Sequence, residues 1–424
     1  MNVTPYLKEV QELRVEGNAG QDHILINGDN IHSLNIMQAT HNNKVDVICI
    51  DPPYNTGNEF IYDDNRKNEW YLWMEERIKL SINLMKEDGI FYVFIGHDEL
   101  ANLIIMCDQL FGKKNRITIF SRVTDSKGGQ GSLIKQGCDY ILMYSKNKSL
   151  LSNIGEKREE GHVDVQGLIF EPTDSKPTQR YWIECPDGSF VIPKGLTKPK
   201  EVKEGLCVRS EIGENAWKWG LETYTKEKEL GNVLITPRNT PNEKVISSDG
   251  SPVYWDFKKQ KILTNAKIIP NFISKWHTAT GTKELKEIFD GKKVFDFPKA
   301  TGLIKYLIEI TNKPKDITVL DFFAGSGTTG HAVIDLNSTD NGTRKSIMCA
   351  IDEEGANICQ DVTYERLKRV TDKCIKEKNR TLDLLGDGFP PTLKYFEVKI
   401  VENNDPLTQL RAEENNKKLL LNEE

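Results

Sequence analysis

The chain has 424 residues, 38% hydrophobic and 28% charged, with 57 Lys/Arg against 63 Asp/Glu and a net charge of −6 at pH 7; this is ordinary for a soluble protein of two or three domains and argues against a generic nucleic-acid binder. No apolar run reaches the ~18–20 residues that span a bilayer, and the N-terminus lacks the apolar core of a signal peptide, so no membrane partner is expected and the cytoplasm is the expected compartment. Eight cysteines without a C-x-x-C pair, and histidines without ligand spacing, argue against a zinc site, any other metal site and a disulfide framework.

In chain order, His23–Asn27 reads as a strand ending in the Gly28-Asp29-Asn30 turn, and Ile31–His41 has helical spacing. The run Val45-Asp46-Val47-Ile48-Cys49-Ile50 is mostly β-branched and apolar, as a buried parallel strand would be. Asp51 ends it, and Pro52 and Pro53 stop any ladder or helix. A helix through Trp70–Met85 stops at Asp88-Gly89, the strand Gly89–Ile95 follows, and a helix over Glu99–Phe111 closes at Gly112. Ile117–Ser121 and Asp139–Ser145 read as antiparallel strands joined by a Gly-rich loop. The alternation then breaks until a helix at Gly302–Ile310, the strand Ile317–Phe323, a helix from Thr328 to Asn337, the strand Ser346–Ile351 and a basic helix at Tyr364–Lys378.

These patterns predict an α/β fold with a doubly wound mixed sheet, split by an insert. The expected divisions are 1–146, an inserted β-rich domain at 147–294, a second α/β half at 295–380, and a charged, peripheral tail at 381–424. Residues 121–300 carry 29 Lys/Arg against 24 Asp/Glu, whereas the remainder carries 28 against 39. A cationic middle between anionic flanks suits a polyanion-facing insert. The basic Lys127–Lys135 loop is a candidate for phosphate contact, with a solvated hairpin loop as the plain alternative. The insert tryptophans, Trp276 among them, read as core residues rather than base stackers.

Two turns carry the chemistry. Asp51-Pro52-Pro53-Tyr54 holds an acid, backbone carbonyls without a competing N–H, and an aromatic ring at a strand's carboxyl end, where open α/β sheets bind ligands. Asp321-Phe322-Phe323-Ala324-Gly325-Ser326-Gly327-Thr328-Thr329-Gly330 lies between a strand and a helix, and its glycines fit G-x-G-x-x-G in the context that makes that pattern informative. Asp352-Glu353 ends the next strand, where ribose hydroxyls would be read. Alone, the glycine turn suggests a nicotinamide dehydrogenase. Asp321, placed before the glycines, would repel a pyrophosphate but suits a cationic amino group, and this shifts the reading towards S-adenosyl-L-methionine.

Together these residues resemble the amino-group DNA methyltransferases, in the motif order of their circularly permuted β class. The fuller strings, Asp51–Gly57 with Tyr62-Asp63-Asp64-Asn65, Phe297-Pro298-Lys299 and Leu320–Asn337, are similar to the modification subunits of type III restriction systems. The resemblance covers roughly 20–146 and 294–375. It implies a Rossmann-like methyltransferase fold with 147–294 as target-recognition domain, and site-specific transfer of a methyl group from S-adenosyl-L-methionine to adenine N6 in double-stranded DNA, with base flipping. Asp51, Pro52, Pro53 and Tyr54 would be catalytic. Asp321, Phe323, Ala324, Gly325 and Gly327 would line the methionine part of the cofactor, and Glu353 or Asp352 the ribose. Asp29 would reach the adenine amino group, and Phe297 and Lys299 would close the pocket. The family implies a homodimer, and the resemblance admits a restriction (helicase/nuclease) subunit as partner. Transfer to cytosine N4, an RNA base or a protein amide, and a DNA-binding module with an inert methyltransferase domain, are the competing readings.

Overall fold

The computed structural model describes residues 3–62, 64, 66–125, 136–151, 154–157, 165–167, 169–170, 178–185, 188–195, 201–208, 214–230, 233–235, 241–244, 254–256, 261–263, 266–267, 269–353, 355–380, 391–402 and 406–421. The chain folds as two units, one made of Met1–Glu156 with Ile268–Glu424 and the other of Lys157–Lys267.

The larger unit is built on a ten-stranded sheet. In chain order its strands are β1 (Val3–Glu9), β2 (Asn18–Asn27), β3 (Val45–Ile50), β4 (Met85–Ile95), β5 (Arg116–Val123), β6 (Cys138–Ser145), β7 (Phe272–Ile273), β8 (Thr318–Asp321), β9 (Lys345–Ala350) and β10 (Pro391–Glu402). Their spatial order is β1-β10-β2-β9-β8-β3-β4-β6-β5-β7. The run from β10 to β4 is parallel throughout, whereas β6 lies antiparallel to β4 and β5. The chain leaves β3 towards β4 on one side and leaves β8 towards β9 on the other. The order therefore reverses between β3 and β8, which opens a crevice at their carboxyl ends.

Alternate side chains of the central strands feed two cores, as burial on both faces requires. Ile48, Ile50, Phe91 and Val93 pack with Leu34, Met37, Trp70, Met74 and Ile78 from the helices Asn30–Thr40 and Trp70–Leu84. Val47, Cys49, Tyr92 and Phe94 pack with Leu303, Leu307, Val333 and Leu336 from the helices Thr301–Glu309 and Thr328–Asp340.

Two departures from the sequence reading concern boundaries. The smaller unit spans Lys157–Lys267 rather than 147–294, because β7 pairs in parallel with β5 and the helix Thr278–Ile288 belongs to the larger unit. Trp276 accordingly lies outside the insert. The tail expected to be peripheral instead supplies β10, which pairs with both β1 and β2, and a helix, Pro406–Leu421. Its charge is accommodated locally. Leu393, Tyr395 and Phe396 are buried, the buried Lys394 meets Asp22 at 3.1 Å, and Asn416 of the helix accepts from the Leu7 amide at 2.8 Å.

The smaller unit is a set of short antiparallel pairs, such as Ile169–Phe170 with Ala216–Trp217 and Val233–Ile235 with Pro241–Lys244, and one helix among its described residues, Leu221–Glu229. Tyr181, Ile183, Trp217 and Tyr224 form its core, and the Trp217 indole donates to the Tyr181 carbonyl at 2.6 Å. Among the described residues no helix is long and apolar enough to cross a membrane.

Candidate active site

The two turns meet because their strands are neighbours. Leu320 of β8 is in register with Ile48 of β3, so Asp321 lies level with Cys49 and Asp51 just beyond, within the ~4.8 Å spacing of adjacent strands. One cavity of about 1520 Å³ opens there. Asp51, Pro52, Pro53, Tyr54, Asp321, Phe323, Ala324, Gly325, Asp29, Phe297, Lys299 and Glu353 all line it.

At the acid end, Asp51 Oδ2 forms an ion pair with the Lys299 ammonium, while the buried Oδ1 has no partner among the described residues. The Lys299 Nζ sits 5.2 Å from the centre of the Tyr54 ring and 5.1 Å from that of Phe94, so the cation is held by its counter-ion and two π faces. Pro53 is anchored through its carbonyl, which accepts from the Trp70 indole at 2.8 Å. The loop beyond the prolines is tied down by the buried Asp64, which accepts from the amides of Asn55 at 3.1 Å and Thr56 at 3.0 Å. The tyrosine hydroxyl donates to Asp139 at 3.2 Å. Burial, with Asp139 and Asp51 adding to it, pushes the Tyr54 phenol well up, so it stays a donor.

At the glycine turn, Asp321 is buried and accepts from the Thr329 hydroxyl at 2.6 Å and from the Phe323 amide at 3.0 Å. Burial raises its carboxyl to about 7, and the nearby Asp51 adds to the rise. Gly325 has φ +48°, and a Cβ there would come within 3.2 Å of the Phe295 ring. Gly327, at φ +76°, precedes the helix as its cap; it holds the turn but is not among the lining residues. A Cβ on Gly330 would lie 2.3 Å from Met348 Sδ, so glycine is what lets this helix approach β9. Behind the turn the fully buried Arg366 donates to Thr328 at 2.9 Å, Thr301 at 3.0 Å and the Ser326 carbonyl at 3.2 Å. Burial lowers its guanidinium to about 10, still charged at neutral pH. Arg366→Ala leaves those acceptors buried and unpaired, and is expected to cost about 3 kcal/mol of stability in chemical denaturation; a variant as stable as the parent would show that the turn does not need this anchor.

At the far end, Asp29 caps the helix Asn30–Thr40 and pairs with Arg77 at 2.8 Å. The Arg77 and Arg66 guanidinium groups lie 4.2 and 4.0 Å from the centre of the Trp73 ring, and Trp73 in turn meets Phe323 with ring centres 5.4 Å apart. The two acids after β9 sit differently. Asp352 accepts from Asn27 at 2.6 Å and from the Cys359 amide at 2.8 Å, and is not among the lining residues, whereas Glu353 is. Phe297, exposed and with φ +51°, touches Phe60 edge-on with ring centres 5.6 Å apart. Tyr62 stacks on Phe295 at 5.7 Å, giving that side of the cavity an aromatic wall. Lys127 and Lys135 lie outside the described residues.

Sequence reasoning missed Arg122, Asp139, Asp64, Trp73 and Arg77, all of which line the cavity, and Arg366 behind it. A charged residue in an otherwise apolar strand, as Arg122 and Asp139 are, was the available signal.

A family model described as DNA methylase (N6_N4_Mtase) matches residues 45–361. The chain is 31% identical to the type II methyltransferase M.KpnI of Klebsiella pneumoniae, covering 88% of this chain and 90% of that one. It is 28% identical to the StyLTI Mod subunit, of a type III restriction-modification enzyme of Salmonella typhimurium, over 91% of this chain and 62% of the relative. For the EcoPI Mod subunit of Escherichia phage P1 the identity is 29%, over 85% and 63%. The chain thus spans under two thirds of the length of these two type III subunits and nearly all of M.KpnI. The matched segment contains both turns and the strands that bring them together, and the chain belongs to the N6/N4 DNA methylase family.

Proposed function

We propose that the protein transfers a methyl group from S-adenosyl-L-methionine to the N6 amino group of adenine in duplex DNA, at a specific site and on a base rotated out of the helix. The observation that carries this reading is the acid end of the cavity, where one buried oxygen of Asp51 has no partner among the described residues while Lys299 neutralises the other, opposite the glycine turn. The residues present suit the cofactor. A cavity of about 1520 Å³ exceeds the roughly 300–1,000 Å³ that one small ligand occupies, leaving room for a nucleoside-sized cofactor and a base together. Asp321 and the Phe323-Ala324-Gly325 turn would hold the methionine part, with Asp321 facing its ammonium. Glu353 would take the ribose hydroxyls and Asp29 the adenine amino group, against Trp73 and Phe323. The bound cofactor supplies an electrophilic methyl group.

The chain's own residues prepare the amine. An adenine N6 lone pair is delocalised into the ring and is a poor nucleophile. Asp51 Oδ1 and the Pro52 carbonyl accept its two hydrogens, which draws the nitrogen towards a tetrahedral arrangement and aims the lone pair. Tyr54 offers a stacking face to the base. Holding both reactants in line supplies much of the rate. Asp rather than Ser at the first motif position favours adenine N6 over cytosine N4. Incubation with unmodified DNA and labelled cofactor, followed by mass spectrometry of the nucleosides, tests this: N6-methyladenine is expected, and N4-methylcytosine or an unmodified digest would overturn the assignment.

Asp321 gives the reaction a pH signature. Its carboxyl, raised to about 7 by burial, is protonated below that pH and ionised above it, and only the ionised form pairs with an ammonium. Cofactor affinity should therefore weaken about tenfold per pH unit below 7 and level off above it, and titration calorimetry of Asp321→Asn should show a weak, flat profile over the same range.

The family resemblance implies a homodimer, and likeness to relatives named as Mod subunits of type III restriction-modification enzymes supports a restriction subunit as partner. Light scattering of the purified chain tests the first, where a monomer at micromolar concentration would rule the homodimer out.

A further inference from the structure

Arg122 and Asp139 stand opposite each other in register on β5 and β6, and both are almost wholly buried, 1% and 5% exposed. Arg122 Nε donates to Asp139 Oδ1 at 2.7 Å and Nη2 to Oδ2 at 2.5 Å. A pair this deep gains little net stability over well-packed apolar side chains, since desolvating two charges offsets their attraction. The pair has further contacts on both sides. Asp139 Oδ2 also accepts from the Tyr54 hydroxyl at 3.2 Å, and Arg122 Nη1 donates to the Trp276 carbonyl at 3.2 Å. Trp276 is itself pinned, at φ +58°, with Gly302 so close that a Cβ there would lie 2.4 Å from the indole nitrogen.

The Tyr54 ring is constrained elsewhere too. A Cβ on Gly96 would lie 2.8 Å from its Cδ2, and the Lys299 ammonium faces the ring at 5.2 Å. Hydroxyl, edge and face are thus each held by a different element, and Tyr54, Arg122 and Asp139 line the same cavity as Asp51.

We propose that Asp139 and Arg122 are positioning residues, which act through the Tyr54 hydroxyl to hold its ring as a rigid stacking platform for the extruded base. This rests on the reading of the chain as a DNA amino-group methyltransferase. A ring already fixed loses no rotational freedom when the base arrives, so the pair acts on base capture and alignment and leaves the cofactor end untouched.

The test is a double-mutant cycle on the full chain with Tyr54→Phe, Asp139→Asn and both together. Methyl transfer to DNA from an unmodified host is measured along with cofactor affinity, and 2-aminopurine fluorescence is read at the adenine position mapped by sequencing of the modified DNA. Each single variant is expected to lower kcat/KM for DNA roughly ten- to hundredfold, the loss of one hydrogen bond to a charged group, with cofactor affinity within about twofold of the parent. The double variant should be no worse than the poorer single one, and the 2-aminopurine signal of the captured base should fall. Additive losses, or Tyr54→Phe transferring at the parental rate, would overturn the proposal. Should Asp139→Asn fail to fold because Arg122 is left uncompensated, Tyr54→Phe decides alone, since it keeps both the ring and the ion pair. A parent protein that transfers no methyl group to any DNA overturns the methyltransferase reading and this inference with it, whereas an active parent indifferent to Tyr54→Phe overturns only the inference.

Discussion

Asp51→Ala is expected to lower methyl transfer about 10²–10³-fold, by analogy with the loss of a single preorganised group at the reacting atom, while cofactor binding changes by no more than a few fold. The asymmetry follows from where the side chain sits. Asp51 follows β3 at the Lys299 end of the cavity, whereas the glycine turn and Glu353 belong to β8 and β9. The stability change should be small, on the order of 1 kcal/mol, because the Asp51 side chain remains 33% exposed and the Lys299 pair is partly screened by solvent. Transfer of label from the cofactor to DNA, set beside calorimetric cofactor binding, separates the two effects. A variant with parental turnover would remove Asp51 from the mechanism. Asp51→Asn keeps an acceptor oxygen but loses the pairing with Lys299, and should retain a trace of activity above the alanine level.

Gly325→Val should have the second-largest effect, and in the opposite compartment. Gly325 has φ +48°, and an added Cβ would stand 3.2 Å from Phe295 Cζ. A β-branched residue is strained by about 1–3 kcal/mol in that backbone region, and its methyl groups would occupy space next to Phe323 and Ala324 that the cofactor needs. Cofactor affinity is expected to fall at least roughly a hundredfold, equivalent to about 2.7 kcal/mol, with transfer failing in proportion at subsaturating cofactor. Transfer restored to parental level by saturating cofactor would confirm that only binding was lost. Parental affinity in the variant would show that the turn does not contact the ligand.

The fold was legible where chemistry is local. The β-branched run Val45–Ile50 declares a buried strand, the two prolines declare its end, and glycines between a strand and a helix declare a tight turn, since each depends only on neighbouring residues. The last strand was not legible in that way. Pro391–Glu402 alternates apolar side chains with Lys394, Glu397 and Lys399, and its charge suggested a solvated tail; the period-two alternation from Phe396 to Ile400 was the signal for a strand. What hid it was the buried Lys394, whose ammonium is met by Asp22, far away in the sequence, at 3.1 Å.

The same division runs through the site. The sequence by itself determined which residue types could do the chemistry: an acid, two imino carbonyls and a ring at one turn, and an acid with glycines at another. Only the tertiary structure decided that the two turns face one cavity, because that requires β3 and β8 to be neighbours across some 270 residues of intervening chain. It also set Asp352 on Asn27 and the Cys359 amide, and Glu353 at the cavity wall. And it set Lys299 on Asp51 and Asp139 on Tyr54. Pairings of this kind leave no periodicity or spacing in the chain, because a hydrogen bond between distant residues is a property of where the strands lie and not of what surrounds each residue in the sequence.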